Sequence, residues 1–120
     1  MDIQVCLERW TCYQSNLYYF SSEWKSWTES RRYCTERGAD LIIIMDIQST
    51  FAYFWIGLTD NDEEGRWKWV DGSTLTSGFW SSGEPNGYKG QNCVLSSPLG
   101  WIDYSCNLSF QWICKRSTLK

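Results

Sequence analysis

The chain has 120 residues, the size of one domain with a core of its own, spanning residues 1–120. Eleven Lys and Arg against 14 Asp and Glu leave a net charge of −3, which argues against the basic surface that nucleic-acid binding needs. There is no His, so Ser–His–Asp, Cys–His and His-ligated zinc chemistry are excluded.

Six cysteines (Cys6, Cys12, Cys34, Cys93, Cys106, Cys114) in a short chain, with no C-x2-C pair, read as a disulfide framework rather than zinc sites or buried thiols. That places the protein in an oxidising, extracellular compartment. In chain order, the first clear element is a helix. Ser26-Trp27-Thr28-Glu29 is a capping box, in which the Ser26 hydroxyl accepts from the Glu29 amide. Trp27, Ser30, Arg31 and Cys34 follow at helical spacing, and Gly38 is placed as the stop residue. Asp40 to Met45 reads as a short buried strand. Its aliphatic run, Leu41 to Met45, is the longest in the chain and far below the ~18–20 residues of a membrane span. No basic start followed by an apolar stretch marks a signal peptide, so a membrane tether is expected only outside this chain. A second, brief helix is expected from Asp46 through Phe51.

From Trp55-Ile56-Gly57-Leu58 the pattern turns to strands: Trp67-Lys68-Trp69-Val70 before an Asp71-Gly72 turn, then Cys93-Val94-Leu95, Gly100-Trp101-Ile102-Asp103 and Phe110 to Cys114. The stretch from Val70 through Gly100 holds six of the nine Gly and both Pro, with little periodic pattern. A stretch of that length in a small domain is either functional or disordered, and the anchors Phe79-Trp80 and Cys93 favour an ordered loop. The chain is thus expected to be α+β, a helix-and-sheet scaffold presenting one long ordered loop.

These residues carry a resemblance to the C-type lectin-like domain family that covers nearly all of the chain. It rests on Trp27 through Cys34, Trp55-Ile56-Gly57-Leu58, Trp67 through Gly72, Phe79-Trp80, Gly83-Glu84-Pro85-Asn86, Cys93, Gly100-Trp101-Ile102-Asp103, Cys106 and Trp112-Ile113-Cys114. The chain is most similar to the type II transmembrane lectin receptors of immune cells, whose ectodomains begin with a like Cys-x-x-x-Trp-Thr segment, here Cys6 to Thr11. The resemblance implies two helices, the second shortened, short antiparallel sheets, and Cys34–Cys114 and Cys93–Cys106 bridges. Family members with the N-terminal extension place a Cys where Leu17 stands. Here Cys12 is the candidate partner of Cys6, with an intermolecular bond, and so a homodimer, or free thiols as the alternatives.

The resemblance also implies a site. In the family the proline of Glu84-Pro85-Asn86 follows a cis peptide bond, and the flanking side chains share a Ca²⁺ with vicinal sugar hydroxyls. Glu-Pro-Asn is the order of mannose/fucose-type members, whereas galactose-type members carry Gln-Pro-Asp. A plain loop turn is the bland alternative. The implied carbohydrate and metal ligands are Glu84, Asn86, Gln91 and Asp103, with Gln91 where the family has Glu and Ile102 where it has Asn. The set holds only two formal negative charges, so Ca²⁺ binding is expected to be weak. Asp60 and Glu64 best match the family's auxiliary calcium site, whose other contributors are weakened, with Gly87 and Asn92 at those positions, and a solvated acidic turn (Asp60, Asp62, Glu63, Glu64) is the alternative. Asn107-Leu108-Ser109 is an N-glycosylation sequon. The expected function is carbohydrate binding without catalysis; the alternative is a Ca²⁺-independent, protein-binding immune receptor of the natural-killer-receptor kind, suited to the many Trp and Tyr.

Overall fold

The computed structural model of the chain describes residues 10–43, 52–86 and 90–117. The helix α1 (Trp27–Thr35) begins where the capping box places it: Ser26 Oγ accepts from the Glu29 amide at 3.2 Å. Its buried face is Trp27, Ser30 and Cys34, the spacing read from the sequence. Gly38 has φ +74, a value that favours glycine, and lets the chain turn into β3 (Asp40–Leu41). Arg31 holds that turn by two hydrogen bonds to the Asp40 carboxylate, at 3.1 and 3.2 Å.

The expected strand from Asp40 to Met45 is shorter than its apolar run suggests. Leu41 is its last paired residue, although the Ile42 amide still bonds to the Ile113 carbonyl and the Ile42 carbonyl accepts from Gly57. Ile44, Met45 and the brief helix expected from Asp46 through Phe51 lie outside the described residues.

Two strands precede the helix, β1 (Thr11–Tyr13) and β2 (Asn16–Phe20), joined by a turn with Gln14 and Ser15 at φ 47 and 66. After β3 come β4 (Phe54–Thr59), β5 (Lys68–Trp69), β6 (Cys93–Ser97), β7 (Gly100–Tyr104) and β8 (Gln111–Ser117). Among the described residues the sheet runs β1-β2-β8-β4-β6-β7, with β3 on β8 and β5 on β4. Most pairs are antiparallel, as expected; β4 and β8 pair in parallel, Trp55 beside Trp112, so the sheet is mixed. Parallel neighbours need a long crossover. Residues 60–110, with the long loop and the β6–β7 hairpin, supply it.

Strand β4 is buried on both faces and divides the core. Ile56 and Leu58 pack with Trp67, Trp69, Val94 and Trp101 on one side. Trp55 packs with Trp27, Leu95, Trp112 and the Cys34–Cys114 bridge on the other. The indole N–H of Trp27 donates to the Ile56 carbonyl and that of Trp55 to the Lys25 carbonyl, both at 2.9 Å, so these rings join helix, sheet and connecting chain. Both expected bridges are formed, Cys34–Cys114 across 80 residues and Cys93–Cys106 across 13. In the chain-entropy account they contribute about 4–5 and about 3 kcal/mol. Cys12 is disulfide-bonded, and Cys6 lies outside the described residues.

Gly57 sits where β4 passes closest to the β3 segment and the end of β5. A Cβ there would lie 2.9 Å from the Leu41 carbonyl oxygen and 2.9 Å from a Val70 methyl. Gly57→Ala is therefore expected to destabilise the domain by about 1–3 kcal/mol. In urea unfolding this appears as a lower midpoint at unchanged slope; an unaltered midpoint contradicts the packing described.

Candidate functional site

Strand β7 and the long loop build the site together. Trp101, fully buried, meets the rings of Phe79, Trp80 and Trp69 edge-on, with centroids 5.5, 5.7 and 5.6 Å away. The backbones are tied as well: Trp101 donates to the Phe79 carbonyl at 2.8 Å, and Ser81 donates to the Trp101 carbonyl at 2.9 Å. Gly78 makes this approach feasible, since a Cβ there would stand 2.8 Å from the Trp101 ring. Phe79-Trp80 stand out as anchors from residue type alone, whereas no local signal marks Gly78 as the residue that lets them close.

Anchored this way, the loop turns at Ser81–Glu84, where the Glu84 amide bonds to the Ser81 carbonyl. The Glu84–Pro85 bond is cis, as expected. The Asn86 amide donates to Asp103 Oδ1 at 3.1 Å. Asp103 is buried, two residues beyond Trp101 on the same face of β7. The Glu84 carboxyl lies against it and is pushed above the usual carboxylate range, first by burial and then by the Asp103 hydrogen bond and charge. Glu84, Asn86 and Asp103 are thus brought together.

Gln91 lies two residues before β6, and its Oε1 is buried. Neither Gln91 Oε1 nor Glu84 Oε1 has a hydrogen-bond partner among the described residues. A buried acceptor without a donor is costly unless something electropositive meets it. An oxygen set of two carboxylates and two amides is of the kind Ca²⁺ takes, though short of charge. Their chemistry is compatible with a hard divalent cation, against whose +2 charge the set brings two formal negatives. Ile102 adds no oxygen: it lies on the opposite face of β7 from Asp103, beside Tyr104.

The acidic loop after β4 divides into two kinds of residue. Asp60 is buried, with the Gly65 amide on Oδ2 at 2.8 Å and no partner for Oδ1 among the described residues. Burial, aided by the Glu64 charge, raises its pKa against the opposing Gly65 hydrogen bond. Glu64 accepts from the Asn92 side chain at 3.2 Å, and the Asp60 amide donates to the Asn92 carbonyl. Asp62 and Glu63 are exposed, Glu63 pairing with Arg66 at 3.6 Å. Asp60, Glu64 and Asn92 thus form a second cluster, abutting the first at Gln91-Asn92. Gly87 lies outside the described residues.

Residues 23–116 match the family model described as the lectin C-type domain. "C-type lectin domain family 4 member M" of Nomascus concolor is 40% identical over 126 residues, covering 94% of this chain and 32% of that protein. "CD209 antigen" of Homo sapiens is 39% identical, covering 93% and 31%. The chain therefore spans about a third of the length of these curated relatives. Among solved structures, the carbohydrate-recognition domain of cow CD23, determined in the presence of a GlcNAc2Man3 oligosaccharide, superposes with a TM-score of 0.85 at 29% identity. That likeness covers 98% of this chain and all of that one.

The Glu84–Asp103 contact has a pH signature in cation-free protein. With a folded pKa above the ordinary 4.5, Glu84 binds more protons folded than unfolded; its contribution is present below 4.5 and lost as pH rises through the folded value. Asp103→Asn removes the neighbouring charge. The expected result is a lower Glu84 pKa by NMR titration and a smaller fall in melting temperature between pH 4.5 and neutrality. An unchanged Glu84 titration contradicts the coupling.

Proposed function

The chain belongs to the C-type lectin domain family, and from that premise we propose that it is a mannose/fucose-type carbohydrate-recognition domain with a depleted, Ca²⁺-assisted site. One observation carries the reading: the intact Glu84-Pro85-Asn86 stands against Asp103, with buried carboxylate and amide oxygens that lack donors among the described residues. Glu84, Asn86, Gln91 and Asp103 would hold the cation. When bound, Ca²⁺ offsets the Glu84–Asp103 repulsion and coordinates sugar hydroxyls. The Glu84 carboxylate accepts from one vicinal hydroxyl, and the Asn86 amide donates to its neighbour. Asp103 orients Asn86 through its amide. The solved cow CD23 domain with a mannose-containing oligosaccharide supports this ligand class. Asp60, Glu64 and Asn92 are proposed as a weaker auxiliary site that stiffens the same loop.

A binding role fits better than catalysis. Glycosidase carboxylates stand about 5–9.5 Å apart to admit the scissile bond or a water. Glu84 and Asp103 touch instead. The disulfide framework supports an extracellular setting, secreted or cell-surface, and among the described residues no helix is long and apolar enough to cross a membrane. The departures at Gln91 and Ile102 favour, as a second reading, a metal-free receptor for a protein ligand, as a monomer or homodimer.

Extracellular modules bind Ca²⁺ at about 10⁻⁴–10⁻³ M. Titration followed by Trp fluorescence, with and without mannose, is expected to half-saturate in or above that range and to show sugar-dependent tightening. Gln91→Glu restores a carboxylate and is expected to tighten Ca²⁺ about tenfold, equivalent to ~1.4 kcal/mol. No response at several millimolar Ca²⁺, with a protein ligand still bound in EDTA, overturns the lectin reading in favour of the second.

A further inference from the structure

We propose that Asn107 carries an N-linked glycan whose first sugars lie over an aromatic pocket on the face of β7 opposite the candidate cation site. The pocket, about 320 Å³, is lined by Tyr53, Leu95, Ile102, Tyr104 and Phe110. Phe110 is its hub: its ring centroid lies 5.7 Å from that of Tyr104, 6.3 Å from Tyr53 and 6.1 Å from Trp24. Trp24 is 58% exposed and Tyr53 45%, so the rim is a cluster of large rings open to water. Clustered exposed apolar surface of this kind marks a face that something covers.

The occupant is attached beside it. Residues 105–109 connect the two pocket residues Tyr104 and Phe110, and they contain Asn107-Leu108-Ser109, the one Asn-x-Ser/Thr triplet in the 120 residues. Asn107 is exposed at the tip of a turn closed by the Leu108 amide on the Ser105 carbonyl. The Cys93–Cys106 bridge fixes that turn to β6. Asn107 stands three positions from each ring-bearing neighbour, a span of at most about 11 Å even fully extended. The disulfides place the chain in the compartment where such sequons are modified.

The chemistry of the two surfaces matches. One face of an N-acetylglucosamine ring is a sheet of C–H groups that stacks on aromatic rings, while its hydroxyls remain in water. The Tyr53 and Tyr104 phenols supply hydrogen bonds at the edge. Because the sugar is tethered, its effective concentration is in the millimolar range, and a weak contact suffices to keep it there. In the modifying step, a transferase of the secretory pathway brings a lipid-diphosphate-linked oligosaccharide. Asn107 Nδ2 forms a bond to the anomeric carbon of its first N-acetylglucosamine. The bond from that carbon to the diphosphate oxygen breaks, the electron pair leaves on the lipid diphosphate, and one amide proton passes to the enzyme's base.

The test is secretion of the chain from a glycosylating eukaryotic host. Intact mass is expected to show a glycan removed by peptide-N-glycosidase and absent from Asn107→Gln and Ser109→Ala. The glycosylated protein is expected to melt roughly 3–6 °C above Asn107→Gln. That gain is expected to fall by half or more in a Tyr53→Ala background, where the exposed ring is removed without opening the core. Secreted protein unmodified at Asn107 overturns the site. An equal gain with and without Tyr53 overturns the pocket contact. A glycosylated dimer that Tyr53→Ala dissolves assigns the face to a second copy and overturns it too.

Discussion

The arrangement depends on the burial of Trp101. Its ring takes Phe79, Trp80 and Trp69 edge-on, and its backbone exchanges hydrogen bonds with Phe79 and Ser81. Aromatic pairs in such geometry add about 0.5–1.5 kcal/mol each beyond area burial. The contact also tolerates a cost: the Trp101 indole N–H has no partner among the described residues. A loop with little regular structure is thereby held along one strand, and the residues that follow it fall where β7 can meet them. That anchor brings the loop to where the Asn86 amide bonds to Asp103 Oδ1 and Glu84 lies against it.

Once assembled, the site is electrostatically unfinished. Two carboxylates in contact raise the pKa of one, and acceptor oxygens on Glu84 and Gln91 are buried with no donor described. Structural acidic pairs normally gain a lysine, an arginine or a backbone amide. Asp40 does so with Arg31, and Asp71 does so with Ser73, whose two hydrogen bonds hold its pKa down. The Glu84–Asp103 pair is met by backbone amides, that of Asn86 donating to Asp103 Oδ1, yet burial and the second carboxylate still raise the Glu84 pKa. The contrast within one molecule lies in the direction of the shift: down at Asp71, where hydrogen bonds prevail, and up at Glu84, where burial and a second carboxylate do.

Much of this was legible in the sequence, and the reasons are local. Ser26 and Glu29 start the helix, Gly38 ends it, and the Trp and Gly spacings place β4 through β8. The β1–β2 hairpin escaped because its turn uses Gln14 and Ser15 at positive φ rather than the Asn-Gly or Asp-Gly that announces one. The parallel pairing of β4 with β8 escaped because register between distant segments leaves no local mark. Ile42 and Ile43 read as strand by composition, yet Ile42 spends its amide and carbonyl bridging β8 and β4 outside any ladder. At the site, Glu84, Asn86 and Asp103 lie in contact. The burial of Asp60, unlike its exposed neighbours Asp62 and Glu63, could not be told from an acidic tetrad read as a run.

Ile102 shows why a substitution needs both faces of its strand to be understood. Judged against the family pattern, it is only a lost oxygen. In the fold, successive residues of β7 alternate: Trp101 and Asp103 turn to the loop, while Ile102 and Tyr104 turn to Phe110. An amide at position 102 would present a polar group to Leu95, Tyr104 and Phe110, which offer it little beyond one phenol. Isoleucine instead extends the apolar floor of that pocket. The period of two along this single strand thus gives one face, Trp101 and Asp103, to the loop and the other, Ile102 and Tyr104, to the aromatic pocket.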